Sequence, residues 1–176
     1  MLSFHNLFIM KLASTTVLLL LHLICHGQAE ISDQVAVKGL IERPFTINLK
    51  TIGSLQPEVH NNLNIVCSSG ETKKELRSFR GVALKRILDS AGIVMPRPKE
   101  RGKYYIAVRA TDGYTTLYAW NEIYNNPTGN HVFLIYEENG QPIREDGRFV
   151  MICGNDVVTG PRHVKWVSSI SVEKLP

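Results

Sequence analysis

The sequence lacks the short motifs by which several large enzyme classes are recognised. It contains no His-Glu-x-x-His pair, no Cys-x-x-Cys pair, no phosphate-binding loop, and no G-x-G-x-x-G or G-x-S-x-G turn. Three histidines follow residue 30, namely His60, His131 and His163, and they are too far apart to show metal-ligand spacing. The motifs therefore give no support for a zinc enzyme, a P-loop enzyme or a dinucleotide-binding enzyme.

The sequence also has little excess charge. The formal net charge is only +4, and the basic residues are scattered along the chain rather than clustered. Because binding to nucleic acid needs a concentrated basic patch, we expect no nucleic-acid partner. After residue 30 no apolar stretch approaches the ~20 residues that a membrane span needs, so we expect no membrane span in that part of the chain.

The one long apolar stretch lies near the first residue. Residues 12–25 are almost wholly apolar, they follow a weakly basic start, and the small residues Gly27 and Ala29 come shortly after them. This pattern is typical of a secretory signal peptide cleaved after Ala29. A membrane anchor is the alternative, although the stretch is shorter than a ~20-residue span. We therefore expect a signal peptide at 1–29, a single domain at 30–176, and export to the periplasm or the cell exterior.

Cysteine is scarce, with three in the whole chain. Cys25 would leave with the signal peptide, so the mature domain keeps Cys67 and Cys153. In an oxidising compartment two cysteines commonly pair. The sequence leaves open whether these two form a disulfide or remain free thiols.

The hydrophobic pattern after residue 30 predicts a mostly β domain of the α+β class, with one clear helix. The helix is expected over 81–91, since its apolar residues recur every third or fourth position and so share one face. Gly92 stands where a C-terminal cap belongs. About eight short strands are expected from alternation and turn residues, over residues 34–40, 44–49, 64–68, 104–110, 115–120, 131–137, 149–153 and 163–172.

Alternation along the last expected strand also sorts its side chains. Val164 and Trp166 would lie on one face, and His163 and Lys165 on the other. We therefore expect Trp166 to anchor in the core and Lys165 to be free to reach a ligand.

Four segments taken together carry a family resemblance. The first, 35–49, is a strand, a glycine turn and a strand, and the second, 65–88, runs from Cys67 through the letters FRGVAL. The third is the turn ATDGY at 110–114, and the fourth, 136–172, contains NGQPI and ends in VKWVSSISV. In this order and spacing they resemble the mixed-sheet, molybdopterin-binding domain of the sulfite oxidase family, and the resemblance spans nearly all of the expected domain.

The resemblance implies a molybdopterin cofactor with molybdenum, and roles for five residues. In the family a cysteine at the end of this strand supplies its thiolate to molybdenum, and Cys67 occupies that position; a soft thiolate suits such a metal. Basic residues before the final strand contact the anionic pterin, and Arg162, His163 and Lys165 stand in that stretch. The family's aspartate-glycine turn lies near the cofactor, which makes Asp112 a further candidate.

The same resemblance implies a small oxidoreductase, or a subunit of one, that passes an oxo group to or from a small-molecule substrate. The cofactor would carry the chemistry, and the protein would bind and orient it. Because the sequence contains no haem-attachment motif, the electrons would leave to a separate haem or quinone protein.

Two other interpretations stay open at this stage. The family's longer N-terminal part, whose side chains wrap the pterin, has no counterpart in the four segments, so the domain could be a cofactor-free module that binds a small anion or a partner protein. Cys67 and Cys153 could instead form a thiol redox pair. In these cases Arg162 and Lys165 would be solvated charges on an edge strand, and Asp112 would belong to an ordinary hairpin turn.

Overall fold

The computed structural model describes residues 32–176, so the expected signal peptide at 1–29 lies outside the described residues. Within them, ten strands form two five-stranded sheets, joined by loops, two short α-helices and four 3₁₀ helices. The mostly β, α+β class is therefore confirmed. The strands are β1 (Val35–Gly39), β2 (Phe45–Ile47), β3 (Glu58–Val66), β4 (Thr72–Ala83), β5 (Tyr104–Ala110), β6 (Thr115–Ala119), β7 (Val132–Glu138), β8 (Gln141–Pro142), β9 (Val150–Cys153) and β10 (Val167–Lys174). The α-helices are α1 (Leu84–Ala91) and α2 (Trp120–Tyr124), and the 3₁₀ helices are Ile52–Leu55, Pro98–Lys103, Pro127–His131 and Gly160–Arg162.

The first sheet has the strand order β2-β1-β10-β5-β6. β1 and β10 run parallel, with Ala36 opposite Ser169, and the other neighbours are antiparallel. Because successive side chains of a strand point to opposite faces, every second residue of the three central strands enters the core. Six of these are at most 2 % exposed: Val35, Val37, Ile106, Val108, Ile170 and Val172.

The second sheet has the order β3-β4-β7-β8, and β9 also pairs with β7. Its most extended feature is the β3–β4 hairpin, which is paired from Glu58 opposite Gly81 to Val66 opposite Thr72. The hydrophobic pattern of the sequence predicts only the end of β3 and not the first part of β4. The tip of the hairpin, residues 67–71, carries the candidate site residue Cys67.

Helix α1 begins three residues later than predicted, because the residues before it continue β4. Gly81 lies in that strand, and a Cβ added there would stand 2.5 Å from the carbonyl oxygen of Leu134 on β7. The helix ends at Gly92, as predicted, with the left-handed φ of +71° that glycine adopts easily. Its buried face consists of Leu84, Ile87, Leu88 and Ala91.

The stretch before β10 corrects one prediction. β10 begins only at Val167, and Trp166 has a left-handed backbone with φ +49°. Its N–H donates to the carbonyl of Asp146 at 2.8 Å, and its carbonyl accepts from the N–H of Thr111 at 3.0 Å. Trp166 is therefore only partly buried while Val164 is fully buried, and the expectation that Trp166 anchors the core was wrong.

The core joins both sheets and α1. Its main cluster draws apolar side chains from β1, β5 and β10, from β7 and β9, and from α1. A smaller cluster lies within the second sheet and includes Leu76, Phe79, Ile135 and Ile152. In the part of the chain that is described, no helix is long and apolar enough to cross a membrane.

Candidate functional site

Cys67 lies at the tip of the β3–β4 hairpin. Its N–H donates to the carbonyl of Glu71 at 3.0 Å, and its carbonyl accepts from the N–H of Gly70 at 2.9 Å. Gly70 closes this turn with φ +83°, a conformation that suits glycine. The tight turn holds the thiol, which is partly exposed, at the end of β3.

The surroundings of Cys67 favour its thiolate form. Its Sγ lies 2.9 Å from the Oγ of Ser69. The hydroxyl and then the backbone N–H of Ser69 lower the pKa of the Cys67 thiol, and the charge of Lys73 acts in the same direction. Because the thiolate is the form that attacks electrophiles and binds metals, this cysteine is suited to ligation.

A single cavity of about 590 Å³ brings Cys67 together with His163 and Lys165. Three of the five residues predicted from the sequence therefore share one concave surface. The remaining lining residues come from the hairpin, from the turn after β5 and from the loops that flank β9; they are Ile65, Ser68, Lys73, Lys74, Tyr114, Asp146, Gly160 and Pro161.

All three lysines that line the cavity are paired with carboxylates, and Lys73 Nζ lies 2.6 Å from Glu71. Lys165 Nζ lies 2.7 Å from Asp146, and Lys74 Nζ contacts both Asp146, at 3.1 Å, and Glu138. Burial alone would lower the pKa of Lys74, but its hydrogen bonds to Glu138 and then Asp146 outweigh burial and raise it. Burial would likewise raise the pKa of Asp146, but Lys165 and Lys74 hold it below its usual range. This wall of the cavity is thus a charged network whose opposite charges largely balance.

His163 lies against the same network but remains neutral. Burial lowers the pKa of His163 to about 4, and the nearby Lys165 and Lys74 add to the shift while Asp146 opposes it. Its Nε2 is buried and has no hydrogen-bond partner. Ligand-type atoms of His163, Asp146 and Glu138 lie within 4.8 Å of one another, yet Lys74 and Lys165 already pair with the two carboxylates. His163 therefore offers an unsatisfied polar atom beside the cavity.

The structure does not bring Arg162 into this cavity, although it follows Pro161 directly. Its guanidinium donates from Nε to Asp156 at 2.7 Å and from Nη2 to the same carboxylate. Its Nη1 donates to Glu122 of α2 at 2.5 Å, and the group lies 4.8 Å above the ring centre of Tyr118. The hydrogen bonds to Asp156 are the main cause of a raised pKa for Arg162. The family resemblance implies that Arg162 binds the cofactor, but in the described structure its guanidinium donates to Asp156 and Glu122 within the protein.

Asp112 also lies outside the lining of the cavity. Its Oδ1 accepts from the N–H of Tyr114 at 2.9 Å, which closes the turn between β5 and β6. It is Tyr114 that lines the cavity, and its hydroxyl donates to the carbonyl of Pro161 at 2.7 Å. Tyr114, Lys73 and Lys74 line the cavity but were not predicted, although Tyr114 lies in the ATDGY turn and both lysines lie in the segment 65–88.

The two cysteines of the domain are both free in the structure. Cys153 is fully buried at the end of β9, and burial raises the pKa of its thiol to about 11. Cys153 is not among the residues that line the cavity of Cys67. The structure therefore gives no support to the thiol redox pair or to a disulfide between Cys67 and Cys153.

Comparisons with known proteins agree with the resemblance drawn from the four segments. A family model described as "oxidoreductase molybdopterin binding domain" matches residues 26–176. Among curated proteins no significant match was found. Among solved structures, the chain is similar to the sulfane dehydrogenase SoxCD from Paracoccus pantotrophus, with a TM-score of 0.59 and 18% identity over 84% of this chain and 39% of that chain. The chain thus spans well under half of that neighbour's length, and at this identity the likeness shows the fold alone. Together these findings confirm the family resemblance and the sulfite-oxidase type of fold.

Proposed function

This chain belongs to the oxidoreductase molybdopterin-binding domain family, and we propose that its cavity binds molybdopterin with molybdenum. In this proposal the protein is a small exported oxidoreductase, or a subunit of one, that transfers an oxo group to or from a small substrate. The observation that carries it is that Cys67 and Lys74 of the β3–β4 hairpin and Lys165 from the stretch before β10 line one cavity.

The residues of the cavity fit that cofactor chemically. The lowered pKa of the Cys67 thiol favours the soft thiolate that an electron-accepting metal prefers. Lys73, Lys74 and Lys165 place ammonium groups at the cavity, and a bound phosphate would share them with the carboxylates that they already contact. The volume of about 590 Å³ falls within the range of ~300–1,000 Å³ that is usual for small-molecule pockets.

Each residue then has a defined task. Cys67 would bind molybdenum through its sulfur, and Lys73 and Lys165 would hold the anionic part of the cofactor. His163, which is neutral and has an unpartnered Nε2, would offer a hydrogen-bonding atom to the pterin. When bound, the cofactor supplies the two-electron chemistry of oxo transfer, and the protein supplies binding and orientation.

The partners and the location follow from the same proposal. The sequence contains no haem-attachment motif, which supports a separate haem or quinone protein as the electron partner. The apolar stretch at 12–25, followed by Gly27 and Ala29, supports export to the periplasm or the cell exterior.

A second candidate function is a cofactor-free module that binds a small molecule. The observation in its favour is that Lys74 and Lys165 already form ion pairs with Glu138 and Asp146. Such pairing leaves less positive charge for a phosphate.

Elemental analysis distinguishes the two functions. The protein is purified from a host that makes molybdopterin, and molybdenum and pterin are measured per chain. We expect about one of each in the wild type, and loss of most molybdenum but not of the pterin in Cys67→Ser, because only the metal ligand is removed. Cys153→Ala, which removes the buried thiol outside the cavity, should keep both.

A wild-type protein that holds neither molybdenum nor pterin would contradict the cofactor proposal and favour the binding module. The intact mass of the same native protein tests export, since removal of the signal peptide should leave Glu30 as the first residue. A chain that still contained residues 1–29 would show that this stretch is retained.

A further inference from the structure

Residues 154–163, the first part of the connection between β9 and β10, contact the strand that leads to Cys67. We call this segment the bridging loop. Thr159 in this loop is 5 % exposed. Its Oγ1 accepts from the N–H of Val66 at 2.8 Å and donates to the carbonyl of Asn64 at 2.7 Å. β3 is the edge strand of its sheet, so one threonine side chain satisfies backbone groups that have no strand neighbour on that side.

The next residue of the bridging loop brings its backbone against the same strand end. A Cβ added to Gly160 would lie 2.8 Å from the carbonyl oxygen of Val66 and 3.4 Å from the Cα of Cys67. Contact this close requires glycine. Thr159 and Gly160 therefore hold the backbone of residues 64–67, which leads to the thiol of Cys67.

The other end of the bridging loop is fastened to a different part of the fold. Arg162 binds Asp156 within the loop and Glu122 on α2, and its guanidinium stacks over Tyr118 of β6. Planar guanidinium groups that bind a carboxylate through two nitrogens restrict geometry more than a single ammonium contact does. The loop therefore joins the Cys67 strand to the β6–α2 region, and the cavity residues Pro161 and His163 flank Arg162.

We propose that Thr159 and Arg162 are positioning residues that set where Cys67 stands relative to His163 and Lys165 across the cavity. Thr159 fixes the strand end, and Arg162 fixes the opposite wall. Neither side chain lines the cavity. The consequence for cofactor binding rests on the proposed function, whereas the mechanical link between loop and strand does not.

Hydrogen exchange of the cofactor-free protein tests the link directly. Thr159→Val keeps the shape but removes both hydrogen bonds, so the Val66 amide should exchange about fivefold faster, since a lost hydrogen bond is worth ~1 kcal/mol. Thr159→Ser keeps the hydroxyl and should restore slow exchange. The Ile106 amide in the first sheet should stay equally protected in all three proteins. Unchanged exchange at Val66 in Thr159→Val would overturn the role of Thr159.

A second variant keeps the test valid if Thr159→Val fails to fold. Arg162→Gln removes the paired contacts to Asp156, and the amide of His163, which donates to Gly160 at 3.0 Å, should then exchange several-fold faster. Equal exchange at His163 would overturn the role of Arg162. In a host that makes molybdopterin, Thr159→Val should also lower molybdenum per chain while Thr159→Ser should not. If wild type holds no molybdenum, the proposed function fails, but the exchange result still decides whether the loop positions Cys67.

Discussion

Two basic residues that are three positions apart have different environments in this fold. Arg162 is paired with two carboxylates inside the protein, whereas Lys165 lines the cavity and its side chain stays 42 % exposed. Both are equally plausible phosphate ligands on the basis of charge. Asp156 in the same loop and Glu122 on α2 separate the two roles, because they accept the hydrogen bonds of Arg162. Residue type therefore predicts basic side chains in this stretch but not which of them lines the cavity.

Replacing Lys165 by alanine should reduce pterin per purified chain about tenfold or more, because a charge-assisted contact to a phosphate is worth ~1.5–3 kcal/mol. The free energy of unfolding should change by less than ~1 kcal/mol, since the lost ion pair is partly exposed. Fluorescence of released pterin and urea unfolding measure the two quantities. Lys165→Arg should keep most of the pterin, and Lys50→Ala, an exposed lysine outside the cavity, should keep all of it. Equal pterin in Lys165→Ala and wild type would remove Lys165 from the site.

At the scale of elements, the first sheet could be predicted from the sequence and the β3–β4 hairpin could not. β1, β5 and β10 alternate apolar residues with period two, which is the signal that strand prediction uses. The first nine residues of β4 contain only two apolar side chains, Leu76 and Phe79, three positions apart. A spacing of three does not show the period of two that predicts a strand. The helical pattern that follows therefore places the start of the helix at Gly81, inside β4.

Gly81 offers a test of this corrected boundary. A Cβ added at Gly81 would lie 2.5 Å from the carbonyl oxygen of Leu134 and 2.9 Å from the Cα of Ile135. Gly81→Ala should therefore force β4 and β7 apart and lower the free energy of unfolding by about 2 kcal/mol or more, measured by urea denaturation. If Gly81 instead began a helix, alanine would be neutral or stabilising. Gly53→Ala is the matched control, because nothing lies within 4 Å of that position.

For the molecule as a whole, the candidate site was predicted only where a family motif covered it. Cys67, His163 and Lys165 came from the quoted segments and meet in one cavity. Lys74 enters that cavity through the register of the β3–β4 hairpin, and Thr159 contacts β3 across more than ninety residues of sequence. Such long-range pairings leave no periodicity or motif in the sequence. They depend on the assembled fold.

The assembled fold also makes its stability depend on pH through one buried group. His163 is kept neutral because burial lowers its pKa from 6.5 to about 4. Between these two values the unfolded chain binds a proton that the folded chain does not. The free energy of unfolding is therefore greatest above pH 6.5 and falls as the pH drops toward 4. A second group, Glu173, has its pKa lowered to about 2, first by the hydroxyl of Ser171, so its contribution is lost only at lower pH.

Between pH 7 and pH 4.5, the change in unfolding free energy therefore reports mainly on the protonation of His163. We expect the wild type to lose about 2 kcal/mol of unfolding free energy across this pH range from this residue, as measured by urea denaturation at each pH. His163→Gln cannot gain the proton, so its stability should change less over the same range, whatever its stability at pH 7. His131→Gln, which alters an exposed histidine, should follow the wild-type curve. If the unfolding free energies of His163→Gln and wild type fell in parallel with pH, His163 would not be neutral in the folded protein. It could then not serve as a neutral polar group beside the cavity.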